Sequence, residues 1–158
     1  MTSLKKALIV LDVQDDFLRN TLDYIAPLCQ RYLNEHGSEY DAIVLTHWMY
    51  EAIEGLDTLL IADPKAKVVQ KTGYSGYTEE TREFFSTNNI EEVHIAGVDT
   101  EGAVLATMFS LLDNGFQVKI LERLVTSYHG RNWEAMTIAR HILGPENVLS
   151  TGGDRVYA

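Results

Sequence analysis

Five aliphatic residues in unbroken succession, Ala7-Leu8-Ile9-Val10-Leu11, constrain this chain more than any other stretch. A strand with one wet face alternates apolar and polar residues. One that does not alternate is covered on both faces, as in a parallel sheet. Ala42-Ile43-Val44-Leu45-Thr46 repeats the pattern, Lys67-Val68-Val69-Gln70 repeats it weakly after the breaker Asp63-Pro64, and Glu92-Val93-His94-Ile95-Ala96 repeats it again. Gln117 to Leu121 and Asn147 to Ser150 complete six expected strands.

Helical patterns fill the intervals. One is expected from Thr21 to Glu35, stopped by His36-Gly37, and another from Thr78, an N-cap followed by Glu79 and Glu80, to Asn88-Asn89. A third runs from Thr100 to Asn114-Gly115 with Val104, Met108, Leu111 and Leu112 on one side, and a fourth from Asn132 to Leu143, closed by Gly144-Pro145. Repeated strand–helix–strand units predict a three-layer α/β/α, doubly wound and mainly parallel sheet of six strands. The 158 residues suit one domain, 1–158, and the stretch from Met49 to Leu60 gives no clear pattern.

A net charge of −10 argues against a nucleic-acid partner, which needs a cationic surface. No apolar run approaches the roughly 20 residues of a membrane span. Met1 to Lys6 lacks the long apolar region of a signal peptide, so a cytoplasmic location is expected. One cysteine, Cys29, excludes an internal disulfide and reads as a structural, partly buried thiol in a helix.

Ligands of such sheets bind beyond the carboxyl ends of the strands. Three places fall there: Asp12, Lys71 and the turn Val98-Asp99-Thr100-Glu101-Gly102-Ala103. A parallel sheet brings them to one rim, where an acid buried at a strand end needs a partner that a lysine supplies. The plainer alternative has Asp12 capping a turn and Lys71 solvated.

The residues around these positions resemble three motifs of the isochorismatase-like, or cysteine hydrolase, superfamily. Leu11-Asp12-Val13-Gln14-Asp15-Asp16-Phe17 looks like the first, D-x-Q-x-D-F, whose leading aspartate is catalytic. Lys71-Thr72-Gly73-Tyr74-Ser75-Gly76-Tyr77 resembles the second, in which a catalytic lysine precedes an aromatic-serine segment. Gly97-Val98-Asp99-Thr100-Glu101-Gly102-Ala103-Val104 is similar to the nucleophile turn G-V-x-T-x-x-C-V, except that Ala103 stands where the family carries its cysteine.

The resemblance implies the isochorismatase-like hydrolase fold and hydrolysis of a small amide or ureido C–N bond by an Asp-Lys-Cys triad, with no cofactor. Asp12 would be the acid/base and Lys71 its electrostatic partner, with position 103 that of the nucleophile. It further implies a non-proline cis peptide at Val98–Asp99, with the N–H groups of Asp99 and Ala103 as an oxyanion hole, and a homo-oligomer. Gln14, Phe17, Trp48, Tyr74, Tyr77 and Thr100 become candidate contacts for a small-molecule substrate. Three readings of Ala103 stay open. It replaces a natural cysteine and inactivates the enzyme; or it belongs to a thiol-independent vinyl-ether hydrolase with Asp12 as acid; or it marks a non-catalytic binding protein.

Metal-dependent nicotinamidases of the superfamily carry a D-x-H cluster after the second strand. This chain has Thr46-His47-Trp48-Met49-Tyr50, so no metal site is expected. At the end of the fifth strand Glu122-Arg123-Leu124 departs from the family's E-D-A, leaving Arg123 either solvated or near the pocket. Tyr128 and Trp133 are further aromatic candidates, and His129 and Arg131 could hold a substrate carboxylate.

Overall fold

A computed structural model describes residues 4–18, 22–49 and 58–150. Thr21, Tyr50, the first three residues and most of the stretch between Met49 and Leu60 lie outside the described residues. The strands are β1 (Lys6–Leu11), β2 (Ala42–Trp48), β3 (Ala66–Lys71), β4 (Glu92–Val98), β5 (Gln117–Thr126) and β6 (Val148–Leu149). They form one sheet in the order β3-β2-β1-β4-β5-β6, and every pairing is parallel.

The unbroken aliphatic run of β1 has the expected cause. Ala7, Ile9 and Leu11 enter one core, while Leu8 and Val10 enter the other. The first core takes Phe85 from α3 (Glu79–Thr87), Met108 and Leu111 from α4 (Leu105–Asp113), and Ala135, Met136 and Ala139 from α5 (Asn132–Leu143). The second takes Leu18, at the end of the single turn α1 (Asp15–Leu18), and Ile25, Cys29 and Leu33 of α2 (Ile25–His36). Helices thus cover both faces, giving the three expected layers.

Several ends move from the sequence reading. The helix expected from Thr100 opens as a π-helical turn, Thr100–Val104, before regular α4 begins. Strand β5 runs five residues past its expected end at Leu121 because its register with β4 shifts: Ile95 pairs with Ile120, but Gly97 pairs with Val125. Thr78 caps α3 as expected, its hydroxyl accepting the Thr81 N–H. Cys29 is buried and its Sγ lies 3.8 Å from the Leu124 carbonyl; burial pushes the thiol up to about 12, so it is inert.

Candidate active site

The sheet order reverses between β1 and β4, and the groove beyond their carboxyl ends is where such a fold binds ligands. Asp12 follows β1, Lys71 ends β3, and Val98 ends β4, so the topology brings all three to that edge. Close approach of the two central strands requires glycine at 97. Its φ is +112°, and a Cβ there would meet the Leu11 carbonyl oxygen at 2.2 Å. The Val98–Asp99 peptide is cis, as the resemblance implied.

Asp12 sits in the left-handed region with φ of 55° and is 1% exposed. Its Oδ2 lies 2.8 Å from Lys71 Nζ, and its Oδ1 accepts the Thr46 hydroxyl at 2.7 Å. Lys71 Nζ also donates to the carbonyls of Gly73 and Tyr74, both at 2.8 Å, so its three donors are all committed. The Trp48 ring covers the ammonium, with its centroid 4.1 Å away. The plainer alternative, a turn cap and a solvated lysine, does not hold.

Burial dominates the titration of Asp12. It raises the carboxyl from 3.8 to about 6, against the opposing pull of the Lys71 charge and the Lys71 and Thr46 hydrogen bonds. Burial likewise lowers Lys71, partly offset by Asp12. Asp99 is raised by burial, although its Oδ1 accepts the Tyr128 N–H.

A cavity of about 760 Å³ opens beside Asp12. Asp12, Phe17, Trp48, Tyr74, Val98, Asp99 and Ala103 line it, as do Glu101, Gly102, Leu105, Ala106, Phe109 and His129. Phe17 meets the Trp48 ring edge-on at 6.1 Å between centroids, and Tyr74 meets it at 5.0 Å. Gly102 lets the Tyr74 ring lie close, since a Cβ there would stand 3.3 Å from two ring carbons.

Three candidate substrate contacts lie outside this lining. Gln14 is fully buried and clamps the backbone of Trp48, donating to its carbonyl at 3.1 Å and accepting its N–H at 2.9 Å. Tyr77 packs against Phe85 and Phe116 in the core. The Thr100 hydroxyl donates to Asn132 Oδ1 at 2.6 Å and ties the turn to α5. Arg131 pairs with Glu134 at 3.1 Å, and Arg123, Tyr128 and Trp133 are exposed away from the lining. Glu101, Leu105, Ala106 and Phe109 were not singled out from the sequence. The helical spacing of 101, 105 and 109 is the signal that could have found them, because it puts them on one face running away from Ala103. Among the described residues no group of three or more His, Cys, Asp or Glu side chains is arranged to hold a metal.

A family model described as the isochorismatase domain matches residues 29–142. The chain belongs to the isochorismatase family. The family protein 2A of Dictyostelium discoideum is 30% identical over 70 residues, which cover 43% of this chain and 35% of that relative. The match therefore spans little more than a third of the relative's length. Among solved structures, the pyrazinamidase/nicotinamidase of Streptococcus mutans superposes with a TM-score of 0.77 at 19% identity, covering 89% of this chain and 98% of that one. A nicotinamidase of Bacillus subtilis gives 0.78 at 20% identity, covering 89% and 97%. A hypothetical protein of Trypanosoma cruzi gives 0.80 at 20% identity, covering 94% and 80%. These likenesses establish the isochorismatase-like hydrolase fold, and the family's members are hydrolases.

Proposed function

We propose that the cavity is the substrate site of a small-molecule hydrolase acting on amide or ureido C–N bonds, with its nucleophile position occupied by Ala103. The observation that carries this reading is the buried Asp12–Lys71 pair, 2.8 Å apart, bordering the same cavity as Ala103. A thiol at position 103 would give its proton to Asp12, and the thiolate would attack the substrate carbonyl. The amine would leave with a proton, and water would release the acid. The N–H groups of Asp99 and Ala103 would face the developing oxyanion. A methyl group cannot start this sequence, so the chain binds and stops. No step of the route calls on a cofactor.

The size of the cavity and its aromatic lining favour a small flat substrate. The nicotinamidases among its structural neighbours act on a flat carboxamide, in keeping with that choice. One observation favours a second reading. An Asp12 carboxyl raised to about 6 holds a proton under mildly acidic conditions, as a vinyl-ether hydrolase would require of its acid.

A parallel assay of this chain and its Ala103→Cys form separates the two. Ammonia release over a panel of small amides and ureas is followed for both, with isochorismate as the vinyl-ether probe. Release by the cysteine form alone is the expected result. Isochorismate cleavage by the unaltered chain sinks the thiol reading, and silence from both forms favours a binding protein.

A further inference from the structure

The buried ion pair is screened unevenly from the cavity. Asp12 belongs to the lining, whereas Lys71 does not, and the Lys71 side chain is 0% exposed. Trp48 stands over it. This residue lines the cavity, and its ring centroid lies 4.1 Å from the Lys71 ammonium. At that distance the π face attracts the cation and leaves water no room between them.

Both partners of that contact are held in place. Gln14, fully buried, grips the Trp48 backbone at its carbonyl and at its N–H, while the rings of Phe17 and Tyr74 meet the indole edge-on. Lys71 is fixed by Asp12 and by the carbonyls of Gly73 and Tyr74. Tyr74 thus serves both, with its ring on Trp48 and its carbonyl on the ammonium. We propose that Trp48 is a positioning residue that acts through Lys71: its ring roofs the Asp12–Lys71 pair, keeps water from the ammonium and holds it against Asp12. The catalytic consequence rests on the reading of this cavity as a hydrolase site with Asp12 as acid/base, and deepens it. Asp12 is faced by Lys71 from β3, Thr46 from β2 and the Asp99 charge from the turn after β4, but burial outweighs them all. Removing the roof admits water and should let the carboxyl fall back toward its ordinary range.

The test reads Asp12 in the chain with Ala103 left in place. Carbon-detected NMR of carboxyl-labelled aspartate follows its titration, with Asp12→Asn to assign the signal. The midpoint near 6 should fall by about one pH unit in Trp48→Ala and stay close to the parent in Trp48→Phe, which keeps a ring over Lys71. A second readout leaves the site unaltered. Trp133, 73% exposed, is the other of two tryptophans, so in Trp133→Phe the emission reports Trp48 alone. That emission should step between about pH 5 and 7 as Asp12 takes its proton. His47 adjoins Trp48 on β2 and His129 lines the same cavity, so the step must vanish in Asp12→Asn. The emission decides even where the alanine variant does not fold. A midpoint unmoved in Trp48→Ala, an equal fall in Trp48→Phe, or an emission step that is absent or survives Asp12→Asn would each overturn the proposal. The hydrolase reading fails elsewhere, in ammonia release by Ala103→Cys, so the two failures are distinguishable.

Discussion

Burial pushes the Asp12 carboxyl up and Lys71 pulls it back, and the balance near 6 gives the two candidate chemistries opposite pH profiles. Thiol activation needs Asp12 ionised as a base. In Ala103→Cys, kcat/KM should therefore rise as pH increases through about 6. Acid catalysis of a vinyl ether needs the proton in place, so its rate should fall over the same interval. Asp12→Asn should cost either activity about 10² to 10⁴-fold. A pH–rate profile with no inflection near 6 would remove Asp12 from the chemistry. At this scale strand position alone left Asp12 open to a turn cap and Lys71 to solvent; the motif resemblance singled them out, and their 2.8 Å ion pair excludes the plainer alternative. Gln14 was not legible. Its two hydrogen bonds go to the backbone of Trp48, and a residue's type does not reveal a backbone partner 34 positions away.

Among the elements, the segment after β3 carries Tyr74 to the cavity rim and is fastened from below by α4. The Gly76 N–H donates to the buried Thr107 hydroxyl at 2.8 Å, and a Cβ at 76 would strike Leu11 at 2.6 Å. Thr107→Val keeps the volume but strands that N–H. It should cost roughly 1–3 kcal/mol in urea unfolding, and it should weaken binding of flat probes by freeing Tyr74. A variant as stable as the parent would show that the N–H finds another acceptor. The strands and α5 were legible as elements because unbroken aliphatic runs and a helical pattern closed by Gly144-Pro145 leave little choice. The π-helical opening of α4 was not, since it arises where the chain leaves β4 through Asp99, whose carbonyl accepts from both Gly102 and Val104. Tyr77 was misplaced for a related reason: an aromatic two residues after Ser75 can face the groove or the core, and Phe85 and Phe116 draw it inward.

Across the whole molecule, a second set of buried titratable groups lies at the opposite, amino-terminal end of the sheet. Tyr32 and Tyr40 share a hydrogen bond of 2.7 Å, Tyr40 reaches His94 Nδ1 at 2.7 Å, and His94 Nε2 meets Glu92 at 2.6 Å. A neutral His94 satisfies every member: Nε2–H donates to Glu92 while Nδ1 accepts from Tyr40. Burial lowers His94 below its usual 6.5, with Lys6 and Lys119 acting in the same direction and Glu92 opposing. Below that value the unfolded chain takes a proton that the folded chain refuses, so folding stability falls as pH drops from about 6.5. Asp12 acts with the opposite sign, because the folded state holds its extra proton between 3.8 and about 6. The difference between parent and His94→Gln isolates the histidine. The variant should lose less stability than the parent between pH 7 and 5.5, in chemical denaturation at each pH. Equal slopes would mean that His94 titrates alike folded and unfolded.

Lys71 has a mechanical side as well as an electrical one. A single nitrogen grips the carboxylate at the cavity floor and the two carbonyls that lead the chain toward Tyr74 at its mouth. A proton arriving on Asp12 slackens one of three guy-ropes and leaves the other two to share the load. Charge at the floor and the anchoring of the rim thus share one nitrogen.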